Sequence, residues 1–310
     1  MKFRIVKTIG VAFAAMFVFG FGGTAVRAEE AKVLNVYNWA DYLPDGLLEN
    51  FTKETGIKVR YDTFDTNEIV HAKLIAGRTG YDIIVPSANW AALHIQAGLF
   101  QKLDKSKLTN LKNTDPVMMK LLSQADPGNQ YLVNWAWGFV TLGINTGKVK
   151  AALGSDPMPE NAWSLIFDPK YAKKLKSCGI SMLDSATDVI PAALHYLGKP
   201  AYSTNPADYT EATKLMRAIR PNIKIFSSGI NDLAGGGLCM ALGYSGDMNI
   251  AAKRAKEGKT GQTIEALVPS TGGLLFYDNM AIPADAEHPN NAHIFINYIL
   301  RPEVAASISN

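Results

Sequence analysis

The 310-residue chain has only two cysteines, Cys178 and Cys239, and its five histidines lack the spacing of a metal site. After the first 28 residues no apolar run approaches the roughly 18 residues that a membrane-crossing helix needs. No glycine-rich phosphate loop and no G-x-G-x-x-G is present. Gly243-Tyr244-Ser245-Gly246 approaches a nucleophile elbow, but its second glycine follows the serine directly and breaks the G-x-S-x-G spacing. There is no repeat, low-complexity tract or Pro/Ser linker. These absences remove the usual signatures of metalloenzymes, nucleotide-dependent enzymes and serine hydrolases. No catalytic residue, metal or cofactor is expected.

What is there begins with an export leader. Lys2, Arg4 and Lys7 precede the apolar stretch Ile9–Phe21, and Val26-Arg27-Ala28 offers a cleavage site before Glu29. Residues 1–28 therefore read as a signal peptide and the mature chain as lying outside the cytoplasm. Removing the four basic leader residues (Lys2, Arg4, Lys7, Arg27) leaves 27 basic against 28 acidic side chains. A surface so near neutrality gives no case for nucleic acid or anionic membrane as partner. With 47% hydrophobic and 19% charged residues the chain folds, and its length suits two lobes. In an oxidising compartment the two cysteines fit one disulfide closing a loop of about 60 residues, worth roughly 4 kcal/mol. Free thiols are the alternative.

Patterning predicts an α/β fold. Val33–Trp39, Ile57–Phe64 and Tyr81–Val85 read as strands. Helices follow them, opened by Pro44, by Asp65 or Thr66, and through Trp90, with Gly56 and Gly77 as stops. Such alternation implies a mainly parallel sheet flanked by helices. The middle of the chain repeats the theme, giving a two-lobed arrangement with lobe I from 29–138 and 260–310 and lobe II from 139–259. Trp135–Thr141 and Met248–Gly261 are the expected crossings. The stop at Asn310, inside a helical pattern, reads as a chain cut short within lobe II.

In open α/β sheets ligands sit beyond the carboxyl ends of the strands. Those positions carry Trp39, Asp41 and Tyr42, then Ser87, Asp188, Tyr244, Asp247, Phe276 and Asp278, with no Lys or Arg among them. Acids suit ammonium groups and flat rings suit a methylene chain, so the pattern points to an alkyl diammonium ligand. Duller roles exist for several. Asp41 and Asp247 suit helix starts, and Trp39, Tyr244 and Phe276 suit strand packing. Asp278 is different, because a carboxylate inside an apolar strand needs a partner. A pocket for another cationic small molecule, a polyamine sensor or an exported hydrolase with paired carboxylates are the competing readings. The hydrolase lacks any supporting spacing.

The motifs Tyr37–Tyr42 (YNWADY), Glu54–Val59, Gly80–Ser87, Leu175–Gly179, Ile230–Leu233, Gly246-Asp247, Ala281–Asp285 and Tyr298–Pro302 resemble periplasmic polyamine-binding proteins, especially the putrescine type. The resemblance covers essentially the whole mature chain. It implies a type II periplasmic-binding fold, a hinge between lobes, and delivery of a putrescine- or spermidine-type polyamine, by a monomer, to an ABC permease in the inner membrane. It also implies that Trp39, Ala40, Asp41, Tyr42 and Ser87 line the site from one lobe, and Asp188, Tyr244 and Asp247 from the other. Phe276 and Asp278 would complete it, and Cys178 and Cys239 would match the family's disulfide. Ala40 and Tyr244 stand where putrescine binders usually carry serine and tryptophan.

Overall fold

The computed structural model describes residues 30–40 and 42–309. The expected signal peptide over 1–28 and the site candidate Asp41 lie outside the described residues.

The first sheet is parallel, with Val33–Trp39 (β1) between Lys58–Phe64 (β2) and Ile83–Ile84 (β3). Leu47–Thr55 (α1), Asn67–Ala76 (α2) and Ala88–Gln96 (α3) alternate with these strands, and Pro116–Leu122 (α4) follows. Gly56 ends α1 in the left-handed region at φ 73°, which an L side chain adopts only at a cost. The helix opens at Leu47 rather than Pro44, behind a second left-handed glycine, Gly46. Thr66 caps α2, its hydroxyl accepting from the Ile69 amide.

The long strand Val133–Asn145 (β4) leads into the second sheet. There Thr146–Leu153 (α5), Ser164–Phe167 (α6), Pro169–Leu175 (α7), Ile180–Met182 (β5), Ala186–Tyr196 (α8), Pro206–Ile219 (α9), Ile225–Phe226 (β6) and Ile230–Gly235 (α10) follow in order. Met240–Tyr244 (β7), Ser245–Glu257 (α11), Ile264–Ala266 (β8), Leu274–Met280 (β9), Pro289–Ile299 (α12) and Pro302–Ser309 (α13) complete the chain. The strand order is β6-β5-β7-β4-β8, with β9 also paired to β4.

Each sheet has its own core. Leu34, Val36, Phe51 and Ile83 pack with Phe295 and Ile299 of α12 around the first. Trp163, Phe167, Met182, Leu194 and Leu242 pack around the second. The Cys178–Cys239 disulfide ties the loop after α7 to the residue preceding β7, which sets aside the free-thiol alternative.

The two halves are joined through β4 and β9. β4 pairs with β9 from Val133 to Val140 and with β7 from Val140 to Ile144, so one strand serves both halves. The expected crossing at Trp135–Thr141 falls within it. Met248–Gly261 makes no crossing: most of it is helix α11, whose Met248 lies against Gly143 and Gly243, where no Cβ would fit. The return is made by β9. Residues 260–273 accordingly stay with the second sheet, because β8 pairs with Gly143–Asn145 and Leu267 bonds to Leu142 and Thr141. A β4 long enough to offer an open flank to β8 is what moves that boundary.

Candidate functional site

Asp278 sits on β9, 2% exposed, where the strand passes from the second sheet to the first. Antiparallel bridges from Ile84 to Ala281 and from Ser87 to Asp278 bring the end of β9 against the edge of the first sheet. Opposite Asp278, β4 carries a bulge between Asn134 and Ala136, and bulges re-aim the side chains beside them. The Asn134 amide donates to the backbone oxygens of both Ala136 and Asp278, which holds the bulge in place.

The Asp278 carboxylate accepts from Tyr42 Oη and from Ser87 Oγ, each at 2.6 Å. Ser87 precedes α3 and is itself bonded twice by Asn67. Burial pushes the Asp278 carboxyl up to about 6; the Ser87 and Tyr42 hydroxyls oppose that rise and the charge of Asp188 adds to it. Burial, and then Asp278 itself, holds the Tyr42 hydroxyl well above its ordinary range, so Tyr42 is a donor throughout the physiological range.

A second carboxylate faces this one from the other half. Asp188 lies in the first turn of α8 and accepts from Ser185 Oγ at 2.5 Å and Tyr244 Oη at 2.8 Å. Tyr244 ends β7, and burial, then Asp188, raises its hydroxyl too. Its ring meets Phe276 edge-on at 5.2 Å. Phe276 is on β9 beside Gly138 of β4, where an added Cβ would come within 2.8 Å of the ring. Glycine at this position lets the ring lie over the strand.

Asp247 is in the first turn of α11, half-buried, and its charge acts on both Tyr42 and Tyr244. Those two tyrosines also act on one another, so side chains from both halves come within electrostatic reach of each other. Trp39, at the end of β1, is fixed by its indole N–H on the Val85 carbonyl at 2.9 Å and leans on Phe64, with Tyr42 at 6.4 Å. Ala40 is an exposed turn residue with no side-chain polar group to offer.

The structure thus brings together Trp39, Tyr42, Ser87, Asp188, Tyr244, Asp247, Phe276 and Asp278. It also adds residues that sequence reasoning passed over. Asn67 and Ser185 orient site groups, Gly138 admits Phe276, and Tyr202, 65% exposed in the loop after α8, lies within electrostatic reach of Asp188 and Tyr277. Ser185 was legible in principle, three residues before Asp188 at a helix start; Asn67 and Gly138 carried no such signal. Among the described residues no group of three or more His, Cys, Asp or Glu is placed to hold a metal. Hydrogen-bonded acids from both halves beside aromatic rings suit a short cation charged at each end.

Two α/β halves joined by crossing strands around such a crevice define a two-lobed solute-binding protein. The chain belongs to the bacterial extracellular solute-binding protein family, whose model matches residues 46–310. It is 46% identical over 308 residues to the putrescine-binding periplasmic protein SpuD of Pseudomonas aeruginosa, covering 99% of this chain and 84% of that one. To the putrescine-binding periplasmic protein PotF of Escherichia coli it is 47% identical over 286 residues, covering 91% and 77%. Among solved structures, a putative spermidine/putrescine ABC transporter protein from Listeria monocytogenes superposes with a TM-score of 0.76 at 35% identity, covering 89% of this chain and 80% of that one. The TpPotD lipoprotein of Treponema pallidum gives 0.77 at 28% identity, covering 89% and 82%. SpuD and PotF are named as binding proteins, in keeping with the solute-binding family to which this chain belongs.

Proposed function

We propose that this protein captures a polyamine of the putrescine or spermidine type in the periplasm and hands it to an ABC permease in the inner membrane. It acts as a monomer, exported by the leader over 1–28. One ammonium is held by Asp278 with Tyr42 and Ser87, the other by Asp188 with Tyr244. Asp247 adds a third acid whose charge acts on Tyr42 and Tyr244, and the family resemblance adds Asp41 as a ligand to one ammonium. Trp39, Tyr42, Tyr244 and Phe276 enclose the methylene chain. Closure bends the ribbon of β4 and β9, with lobe I built on the first sheet and lobe II on the second.

The observation that carries this reading is the facing pair of hydrogen-bonded carboxylates, Asp278 and Asp188, in a crevice where every named ionisable group is an acid or a phenol. Anionic and zwitterionic cargo would meet repulsion there. The names of the relatives, putrescine-binding and spermidine/putrescine-binding, point the same way. A thermal-shift panel of cadaverine, putrescine, spermidine, spermine, agmatine and amino acids tests it. Stabilisation by at least one polyamine and by no amino acid is expected. A response confined to amino acids would overturn the assignment.

A further inference from the structure

We propose that Asn67 is a positioning residue for the ammonium site, steering the single hydroxyl proton of Ser87 onto Asp278. The proposal rests on Asp278 being a ligand carboxylate. Asn67 is the first residue of α2, yet its side chain plays no part in capping, which Thr66 performs. Both ends of its amide go instead to Ser87. Oδ1 accepts from the Ser87 backbone N–H at 3.0 Å, and Nδ2 donates to Ser87 Oγ at 2.9 Å.

This pairing fixes the direction of every proton in the chain. A backbone N–H can only donate, so the amide oxygen must face it and the NH2 must face the hydroxyl. Ser87 Oγ is thereby an acceptor toward Asn67 and has one proton left, with Asp278 Oδ1 at 2.6 Å to receive it. Tyr42 supplies the matching bond to Oδ2. The ionisable groups around Asp278 are Tyr42 before α1, Asp188 on α8 and Tyr244 at the end of β7, while Asp247 on α11 acts on both tyrosines. None of these groups is a cation, so the carboxylate depends on neutral hydroxyl donors to stay ionised in a buried place. Asn67 touches neither Asp278 nor the crevice in any bond described, and acts through Ser87.

Asn67→Asp is the discriminating substitution. It keeps the acceptor for the Ser87 N–H but replaces the donor by a second oxygen, which draws the Ser87 proton away from Asp278. A carboxylate in the first turn of α2 suits the helix dipole, so folding is retained. The test follows the Asp278 carboxyl by carbon-13 NMR against pH in ligand-free protein, with calorimetric affinity for putrescine at pH 7. It uses wild type, Asn67→Asp, Asn67→Ala, Ser87→Ala and each Asn67 change combined with Ser87→Ala.

The Asp278 midpoint is expected to rise by about one pH unit in Asn67→Asp, with an affinity loss of about tenfold and an unchanged or higher Tm. Asn67→Ala gives a smaller rise. In the Ser87→Ala background the Asn67→Ala change has no further effect, because the two residues act as one unit. An unmoved midpoint, or an Asn67→Ala effect that adds fully to that of Ser87→Ala, would overturn the role. Should Asn67→Ala fail to fold, Asn67→Asp with and without Ser87→Ala decides: a rise caused by the added charge alone persists when the hydroxyl is gone and overturns the role, whereas a rise that needs the hydroxyl supports it. If the midpoint moves but wild type binds no polyamine, the cargo assignment fails and the positioning role stands. If wild type binds putrescine and the midpoint stays, the reverse holds.

Discussion

The two ends of the crevice hold similar carboxylates by different means. Asp278 hangs from a strand, 2% exposed, held by two hydroxyl donors from other elements, Tyr42 and Ser87. Asp188 opens a helix, half-buried, where the first turn of α8 favours a negative charge without any ligand. The strand-borne acid is the costlier one to ionise, and a cation arriving beside it recovers the most. The first end should therefore govern affinity and its pH dependence, and the second should govern which ligand lengths are accepted.

The largest break in this comparison is Asp278→Asn. Losing one partner of a buried charged pair costs about 2–5 kcal/mol, so putrescine affinity should fall about thirtyfold or more by calorimetry. A loss under about threefold would remove Asp278 as the dominant ammonium ligand. Asp247→Asn comes next, with at least about tenfold weaker binding expected, and unchanged affinity in a folded protein would remove Asp247 from the site.

The pH dependence sharpens the contrast because its two readouts have opposite signs. The Asp278 carboxyl is raised to about 6 by burial, well above the ordinary carboxylate value. Affinity should be flat above about pH 7 and fall as pH drops through 6, because the ammonium needs the ionised form. Ligand-free stability from this group runs the other way. The unfolded chain releases the proton near pH 4 and the folded one near 6, so about 3 kcal/mol is present below pH 4 and lost as pH rises through 6. Melting curves of wild type against Asp278→Asn isolate that contribution. An identical pH profile in both proteins would refute it. The smallest effect expected is from Tyr244→Phe, which removes one bond to Asp188. Affinity should drop only a few-fold while the preference among putrescine, cadaverine and spermidine shifts.

Much of this was legible before any coordinates. The alternation that places β1 to β3 and α1 to α3 is local, set by apolar period, Gly56, Thr66 and Gly77, and it held with small shifts at helix starts. Asp278 was legible because a carboxylate in an apolar strand demands donors, which Tyr42 and Ser87 supply. Pairing partners were not legible. That β4 would offer one stretch to β9 and the next to β7 and β8 depends on register between distant segments, and so the return crossing was expected at Met248–Gly261 instead of β9. A helix rich in Ala and Lys from Asp247 was legible, but not that Met248, Ala251 and Ala255 pack it within the second half. Gly138 was invisible for the same reason, since what its missing Cβ makes room for is a ring 138 positions further along the chain.

The most direct test of two-ended capture compares putrescine with 1-aminobutane, which has the same four-carbon chain and one charge fewer, by titration calorimetry near pH 7.5. Putrescine should bind at least about a hundredfold more tightly, reflecting one additional charge-assisted hydrogen-bonded contact of the 1.5–3 kcal/mol class and its Coulomb attraction. Equal affinities for the two amines would contradict the account, since they would leave one of the carboxylates without a role in holding cargo.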